Sequence, residues 1–356
     1  MAPNSNKKGS KDTKAKPADL EQPPAAAPDA SKGNGRQEKP GSPSSTAAGP
    51  RITLTGAQQT NLTTLCARAQ DARQSRPLLN DRWALHVLDQ VPDYNFAPIT
   101  PGAFAAAAVV KRALILDQWA ASFLEKNPRA TVIHLACGLD SRCLRLRWGA
   151  GGAGGDKPGT AAKGAFADVC WVDLDFPDVI ALRKQLLPSP SGPGVDYRLV
   201  AASVTESDWL NDIPSDRPTL IIMEGLTMYL AEKDGISLLR RLLKRFPSGS
   251  IIFDCVGSIV LRAQGLIGVL RYTGATFGWA IDYPRYLELL DERMRLVETA
   301  GPLVMLGILA DDDSDVLPVP VRWTLRGLGY VPYLRAAVEH VMRDILTPGS
   351  IVRFEF

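Results

Sequence analysis

Apolar positions along the chain follow two alternating rhythms. Short, nearly unbroken apolar runs occur at Thr131–Ala136 (TVIHLA), Val169–Asp173 (VCWVD), Tyr197–Ala201 (YRLVA), Thr219–Met223 (TLIIM) and Ser250–Cys255 (SIIFDC). Runs of this length, rich in β-branched residues, predict strands buried on both faces. Between them, Pro177–Leu187 and Glu232–Phe246 keep a helical period, the second with apolar residues at 236, 238, 239, 242, 243 and 246. Strands alternating with amphipathic helices predict an α/β fold with a doubly wound, largely parallel sheet. Helices are predicted ahead of that sheet at about 57–74, 82–90 and 104–126, and Arg353–Phe356 (RFEF) reads as a terminal strand.

Two stretches fall outside this patterning. Residues 1–50 are mostly Pro, Ala, Ser, Gly and Lys, too poor in large apolar side chains to offset the entropy of ordering, so a disordered tail is expected there, with one folded domain over 51–356. Gly149–Ala167 (GAGGAGGDKPGTAAKGAFA) interrupts patterned sequence and reads as a flexible insertion within that domain. The tail carries seven Lys and one Arg against three Asp and two Glu, a surplus equal to the net charge of +3 for all 356 residues. The remainder is neutral, which argues against nucleic acid as a partner. No run approaches the roughly 20 apolar residues of a membrane-spanning helix, and the first residues lack the apolar core of a secretory signal. Five cysteines (66, 137, 143, 170, 255) are scattered and never spaced as CxxC, arguing against disulfides and a metal site and for a reducing, cytoplasmic setting.

In open α/β sheets ligands bind beyond the carboxyl ends of the strands. After the first strand, Cys137-Gly138-Leu139-Asp140-Ser141-Arg142 offers one glycine rather than GxGxxG, which disfavours a dinucleotide but suits a nucleoside cofactor without phosphates. The second strand leads into Asp173-Leu174-Asp175, where an acid can accept both hydroxyls of a ribose; Asp175 before Phe176-Pro177 also fits a helix cap. Asp173 lies 35 residues beyond Gly138, or 16 without the 19-residue insertion, against a usual spacing of about 20. Spacing alone does not choose between the two acids. Glu224, emerging from the fourth strand, needs a cationic partner, either on a ligand or from a nearby arginine.

Four segments in order, HLACGLDSRCLRL, WVDLDFPDVIALRKQLL, YRLVAASV and LIIMEGLTMYL, resemble the leucine carboxyl methyltransferase family, and within it the branch that O-methylates polyketides and other small molecules. The likeness runs from about Asn80 to Gly257, with weaker echoes at Thr60–Asp81 and Phe277–Glu298. It implies a class I, Rossmann-like fold that binds S-adenosylmethionine (SAM), with an N-terminal helical lid. By position, the resemblance assigns Arg112 in RALILD to the methionine carboxylate, Gly138 to the turn under the cofactor, Asp175 rather than Asp173 to the ribose, and Glu224 to the methionine end. Arg68 matches a basic position in the lid. The family's phosphatase-methylating members carry Asp-Leu after the third strand where this chain has Ser203-Val204, so adenine would meet a hydroxyl instead of an acid.

The expected function is O-methylation of a carboxylate or phenol on a small aromatic acceptor. The alternatives are methylation of a phosphatase C-terminus and a non-catalytic partner protein. A carboxylate is ionised at pH 7 and needs no base, whereas a phenol with a pKa near 10 benefits from one. Of the three histidines, His134 lies in a strand and reads as core, His340 as structural, and His86, one turn after Arg82, is the candidate base. Segment 257–286 carries Tyr272, Phe277, Trp279, Tyr283 and Tyr286 and is expected to cover the substrate, with Phe277, Trp279 and Tyr283 as contacts. Arg142 is expected to hold a substrate carboxylate, with Arg145 and Arg147 on a solvated face.

Overall fold

The computed structural model describes residues 50–148, 168–192, 194–301 and 349–356. Most of the expected tail (1–50), the Gly/Ala insertion (149–167) and His340 lie outside the described residues. The strands are β1 (Arg129–Leu135), β2 (Asp168–Asp175), β3 (Asp196–Ala201), β4 (Thr219–Met223), β5 (Gly249–Val256), β6 (Arg295–Ala300) and β7 (Gly349–Glu355). They form one sheet in the order β3-β2-β1-β4-β5-β7-β6. The first five pair in parallel, while β7 runs antiparallel to both β5 and β6.

Helices cover both faces, which is why the central strands read as unbroken apolar runs rather than alternating ones. Val132, Leu220, Ile222 and Ile252 pack toward α1 (Gly56–Ala72), α2 (Arg82–Gln90), α3 (Ala103–Lys126) and α5 (Pro177–Leu186). Their neighbours Ile133, Ile221, Met223, Ile251 and Phe253 point the other way, onto α6 (Glu232–Arg245). Pro177 opens α5 with its fixed φ. The Asp81 carboxylate caps α2, accepting from the Ala84 amide at 3.2 Å.

The antiparallel β6 has no counterpart in the hydropathy pattern, because its first five residues are exposed or half-buried and only Ala300 is buried. After β1, α4 is a single turn, Arg142–Arg145, and Arg147 lies beyond it. Two further short helices, α7 (Ser258–Ala263) and α8 (Gly268–Thr273), follow β5. Among the described residues no helix is long and apolar enough to cross a membrane.

Candidate active site

The sheet order reverses between β1 and β4, and there the strand ends open into a cavity of about 510 Å³. This is the position at which open α/β sheets bind ligands. Two left-handed backbone positions shape the floor. Ala136 and Gly138 both have φ +53 at the end of β1, and a side chain at Gly138 would bring its Cβ within 3.2 Å of Asn61 on α1. Gly225 (φ +64) follows Glu224, and its amide donates to Asp254 Oδ1 at 2.6 Å.

Arg112, from α3, spans β4 and β5. Its Nε donates to Glu224 Oε1 at 3.1 Å, its Nη2 lies 3.0 Å from the same oxygen, and its Nη1 donates to Asp254 Oδ2 at 2.8 Å. These contacts occupy three of the five guanidinium N–H groups and leave two for a ligand on the cavity wall. Glu224 accepts from Arg142 Nη2 at 2.7 Å through its other oxygen. Burial alone would raise the Glu224 carboxyl, but Arg112 and Arg142 hold it down to about 2. Of the two partners left open for Glu224 by the sequence, the structure supplies the arginines.

Behind this wall the network continues. Arg142 donates to Asp117 Oδ1 at 2.6 Å, and Arg145 donates to Asp117 Oδ2 at 2.6 Å and to Asp140 Oδ1 at 2.9 Å. Arg68 donates to Asp140 Oδ2 at 3.2 Å and to the Leu139 carbonyl at 3.0 Å, and pairs with Asp81 at 3.0 Å. Burial opposes the Asp140 charge, yet Arg145, Arg142 and Arg68 hold its carboxyl well below the usual range. Four arginines (68, 112, 142, 145) thus meet five carboxylates (81, 117, 140, 224, 254). On the cavity wall itself the acids Asp140, Asp175, Glu224 and Asp254 outnumber Arg68 and Arg112, an acidic surplus that suits a ligand carrying a cation.

The two acids of β2 have different environments. Asp173 is fully buried, accepts from Arg183 at 2.6 Å, Tyr197 at 2.7 Å and Trp171 Nε1 at 2.8 Å, and does not line the cavity. Asp175 lines the cavity, and each oxygen holds one backbone amide, Gly138 and Phe176, both at 2.7 Å. A carboxylate offers about four acceptor positions, so two remain for a ligand. Burial pushes the Asp175 carboxyl up to about 6 against the pull of those two amides.

Arg68, Arg112, Gly138, Asp175, Ser203, Glu224 and Phe277 all line this cavity. Five other expectations are corrected by position. Arg142 is fully buried and saturated by carboxylates, so it holds Glu224 and Asp117 in place rather than meeting substrate. Trp279 is buried against α6, where a Cβ added to Gly235 would fall 2.1 Å from its ring, and it does not reach the cavity. Tyr283 is half exposed, lies tilted against Tyr286 and is not part of the cavity wall. His86 is exposed on α2, edge-on to Trp83, and is not part of the cavity wall. Arg145, expected on a solvated face, is buried in the ion network instead.

His134 is buried in β1, and burial together with Arg142 lowers its imidazole to about 4, so it stays neutral at pH 7. Asp254 and Asp117 escaped the sequence reading, although each carried a signal, an acid inside an otherwise apolar stretch (SIIFDC, RALILD). Tyr229 was missed as well. It lines the cavity and meets Phe277 edge-on at 5.2 Å between centroids.

The fold and this strand-end cavity define a class I methyltransferase. The leucine carboxyl methyltransferase family model matches residues 61–243, and the chain belongs to that family. A tetracenomycin polyketide synthesis O-methyltransferase, TcmP of Streptomyces glaucescens, is 42% identical over 289 residues, covering 81% of this chain and 97% of the relative. An S-adenosyl-L-methionine-dependent methyltransferase of Gibberella zeae, dpfgK, is 40% identical over 253 residues, 67% of this chain and 80% of the relative. Leucine carboxyl methyltransferase 1 of Eremothecium gossypii is 24% identical over 155 residues, 36% of this chain and 42% of the relative. The chain is a SAM-dependent methyltransferase.

Proposed function

We propose that this enzyme transfers a methyl group to an oxygen, carboxylate or phenolate, of a small aromatic acceptor of the polyketide type. The observation that carries this reading is the division of the cavity into two chemically unlike halves. At the strand ends lie the charged groups, Arg112, Glu224, Asp254 and Asp175. To the same lining segment 257–286 contributes Val260, Ile267, Val269 and Phe277, and Tyr229 and Val256, the last residue of β5, add to this apolar and aromatic surface. Such a surface suits a flat, apolar acceptor through area and stacking. The 42% identity to a polyketide O-methyltransferase over most of both chains supports the same class of acceptor.

The residues present fit SAM. The two free N–H groups of Arg112 suit the methionine carboxylate, the acidic surplus suits its ammonium and sulfonium, and the spare lone pairs of Asp175 suit the ribose hydroxyls. Gly138 keeps the turn beneath free of a side chain, and Ser203 borders the base end. Arg68 and Arg142 position the carboxylates around them. Bound there, SAM supplies a methyl group already activated on sulfur. The protein then has mainly to align an acceptor oxygen and exclude water, and such alignment can lower a barrier by about 7–11 kcal/mol. Among the described residues the cavity wall includes no lysine, and its histidine is held neutral by burial. Acceptors that arrive ionised, carboxylates above all, therefore need nothing further from this wall.

The test is incubation with methyl-labelled SAM and a panel of hydroxylated aromatic acids, followed by mild base. Label released as methanol reports an ester, and label retained on the ring system reports an ether. No transfer to any aromatic acid or phenol, with SAM bound, would overturn the acceptor class.

A further inference from the structure

The order of the strands orders the ligand. With the methionine end at Arg112 and Glu224 and the ribose at Asp175, the base must lie past β2, against the loop that follows β3. That end of the cavity is formed by Phe176, Ala202, Ser203, Val204 and Thr205, none of them charged. Phe176 sits one residue beyond Asp175 and keeps 44% of its surface exposed, an open aromatic face beside the ribose acid. The Ser203 and Thr205 hydroxyls lie 2.8 Å apart, and either one can be the donor.

We infer that this enzyme reads the base of its cofactor by stacking on Phe176 and by the reversible Ser203–Thr205 hydroxyl pair, and so accepts a 6-oxopurine cofactor almost as readily as the 6-amino one. The inference rests on the SAM site described above. Adenine presents a donor at N6 and an acceptor at N1, whereas hypoxanthine presents an acceptor at O6 and a donor at N1. A fixed carboxylate facing position 6 accepts from N6 of the first and repels O6 of the second. A hydroxyl has one proton and two lone pairs and rotates to suit. Ser203 Oγ also accepts from the Thr205 amide at 3.3 Å. If Thr205 Oγ1 donates to Ser203, the Ser203 proton is free for an acceptor, and if Ser203 donates to Thr205, one lone pair is left for a donor. Thr205 is exposed and Ser203 half-buried, so water can satisfy whichever group the base leaves unpaired. Strong rejection of an analogue needs polar groups that are buried and left without partners. Stacking, for its part, is indifferent to the purine's edge.

The experiment is calorimetric titration of the full chain at pH 7 with S-adenosylhomocysteine and with its 6-oxo analogue, S-inosylhomocysteine. The two are expected to bind within tenfold of each other. Ser203→Asp should widen the gap beyond tenfold by weakening the 6-oxo ligand, and Phe176→Ala should weaken both by a similar factor, about tenfold. Tight adenosyl binding with inosyl binding more than tenfold weaker in the wild type would overturn the inference while leaving the cofactor site standing. An unchanged ratio in Ser203→Asp would do the same. Failure of both ligands to bind would overturn the site itself, and the inference with it.

Discussion

Acidification from pH 7 to pH 5 should detach the cofactor by neutralising one residue. Asp175 has a carboxyl pushed up to about 6 by burial, so roughly nine-tenths of it is ionised at pH 7 and one-tenth at pH 5. Only the ionised form keeps both oxygens as acceptors for Gly138, Phe176 and two ribose hydroxyls. Affinity for S-adenosylhomocysteine should therefore fall about tenfold over that interval, or about 1.4 kcal/mol. Glu224, held down to about 2, and His134, lowered to about 4, each stay largely in one state across this window. The ligand's α-amino group, that of a free amino acid, stays protonated throughout.

Asp175 and His134 pull the stability of the fold in opposite directions over this interval. The imidazole, lowered from 6.5 to about 4, costs about 2 kcal/mol between pH 7 and pH 5, so a urea midpoint at each pH accompanies the titration. A carboxyl whose folded value lies above 3.8 binds its proton more tightly in the folded chain, so its contribution to stability is whole below 3.8 and is lost as the pH rises through about 6. The cost at neutral pH is roughly 3 kcal/mol at 1.36 kcal/mol per unit, and acidification to pH 5 relieves part of it. Titration calorimetry at pH 5, 6 and 7 measures the slope, with Asp175→Asn as the control that binds weakly and without pH dependence. Equal wild-type affinities at pH 5 and 7 would refute the reasoning, as would the same slope in the variant.

Three other outcomes follow from the packing. Arg142→Ala strips one partner each from the buried Glu224 and Asp117 and should cost about 3–5 kcal/mol of stability, read as a lower urea midpoint. Gly235→Ala should lose about 1–3 kcal/mol by driving a methyl into Trp279, and pairing it with a smaller residue at 279 should recover most of the loss in a thermal melt. His86→Ala should leave kcat and KM unchanged for ester and ether products alike, because its ring is exposed away from the cavity.

The parallel core was legible because burial on both faces leaves a compositional trace: TLIIM and SIIFDC became β4 and β5 within a residue at each end. Antiparallel β6 left none, since RLVETA buries only its last residue and resembles any exposed segment. At the site, residues fixed by their place at a strand end (Gly138, Asp175, Glu224) were readable from the strand pattern and the family likeness. What escaped was pairing across elements. Whether Arg142 faces a ligand or a carboxylate depends on Asp117, 25 residues away, and Glu224, 82 residues away, and one-dimensional spacing contains neither distance. The aromatics failed for a similar reason. Phe277 and Trp279 sit two apart, yet one turns to the cavity and the other into the hole left by Gly235.

The two halves of the cavity differ in how freely they can be rewritten. The charged half is a lattice in which each arginine answers to acids on two or three elements, so a change at one node unbalances several others. Much of the apolar half belongs to a single stretch of about thirty residues after β5, touching the lattice nowhere among these pairs. On the function proposed above, replacing that stretch as a block should change the acceptor while the donor site keeps its shape. An engineer seeking new acceptors has a cassette already delimited, and natural divergence would meet least resistance along the same boundary.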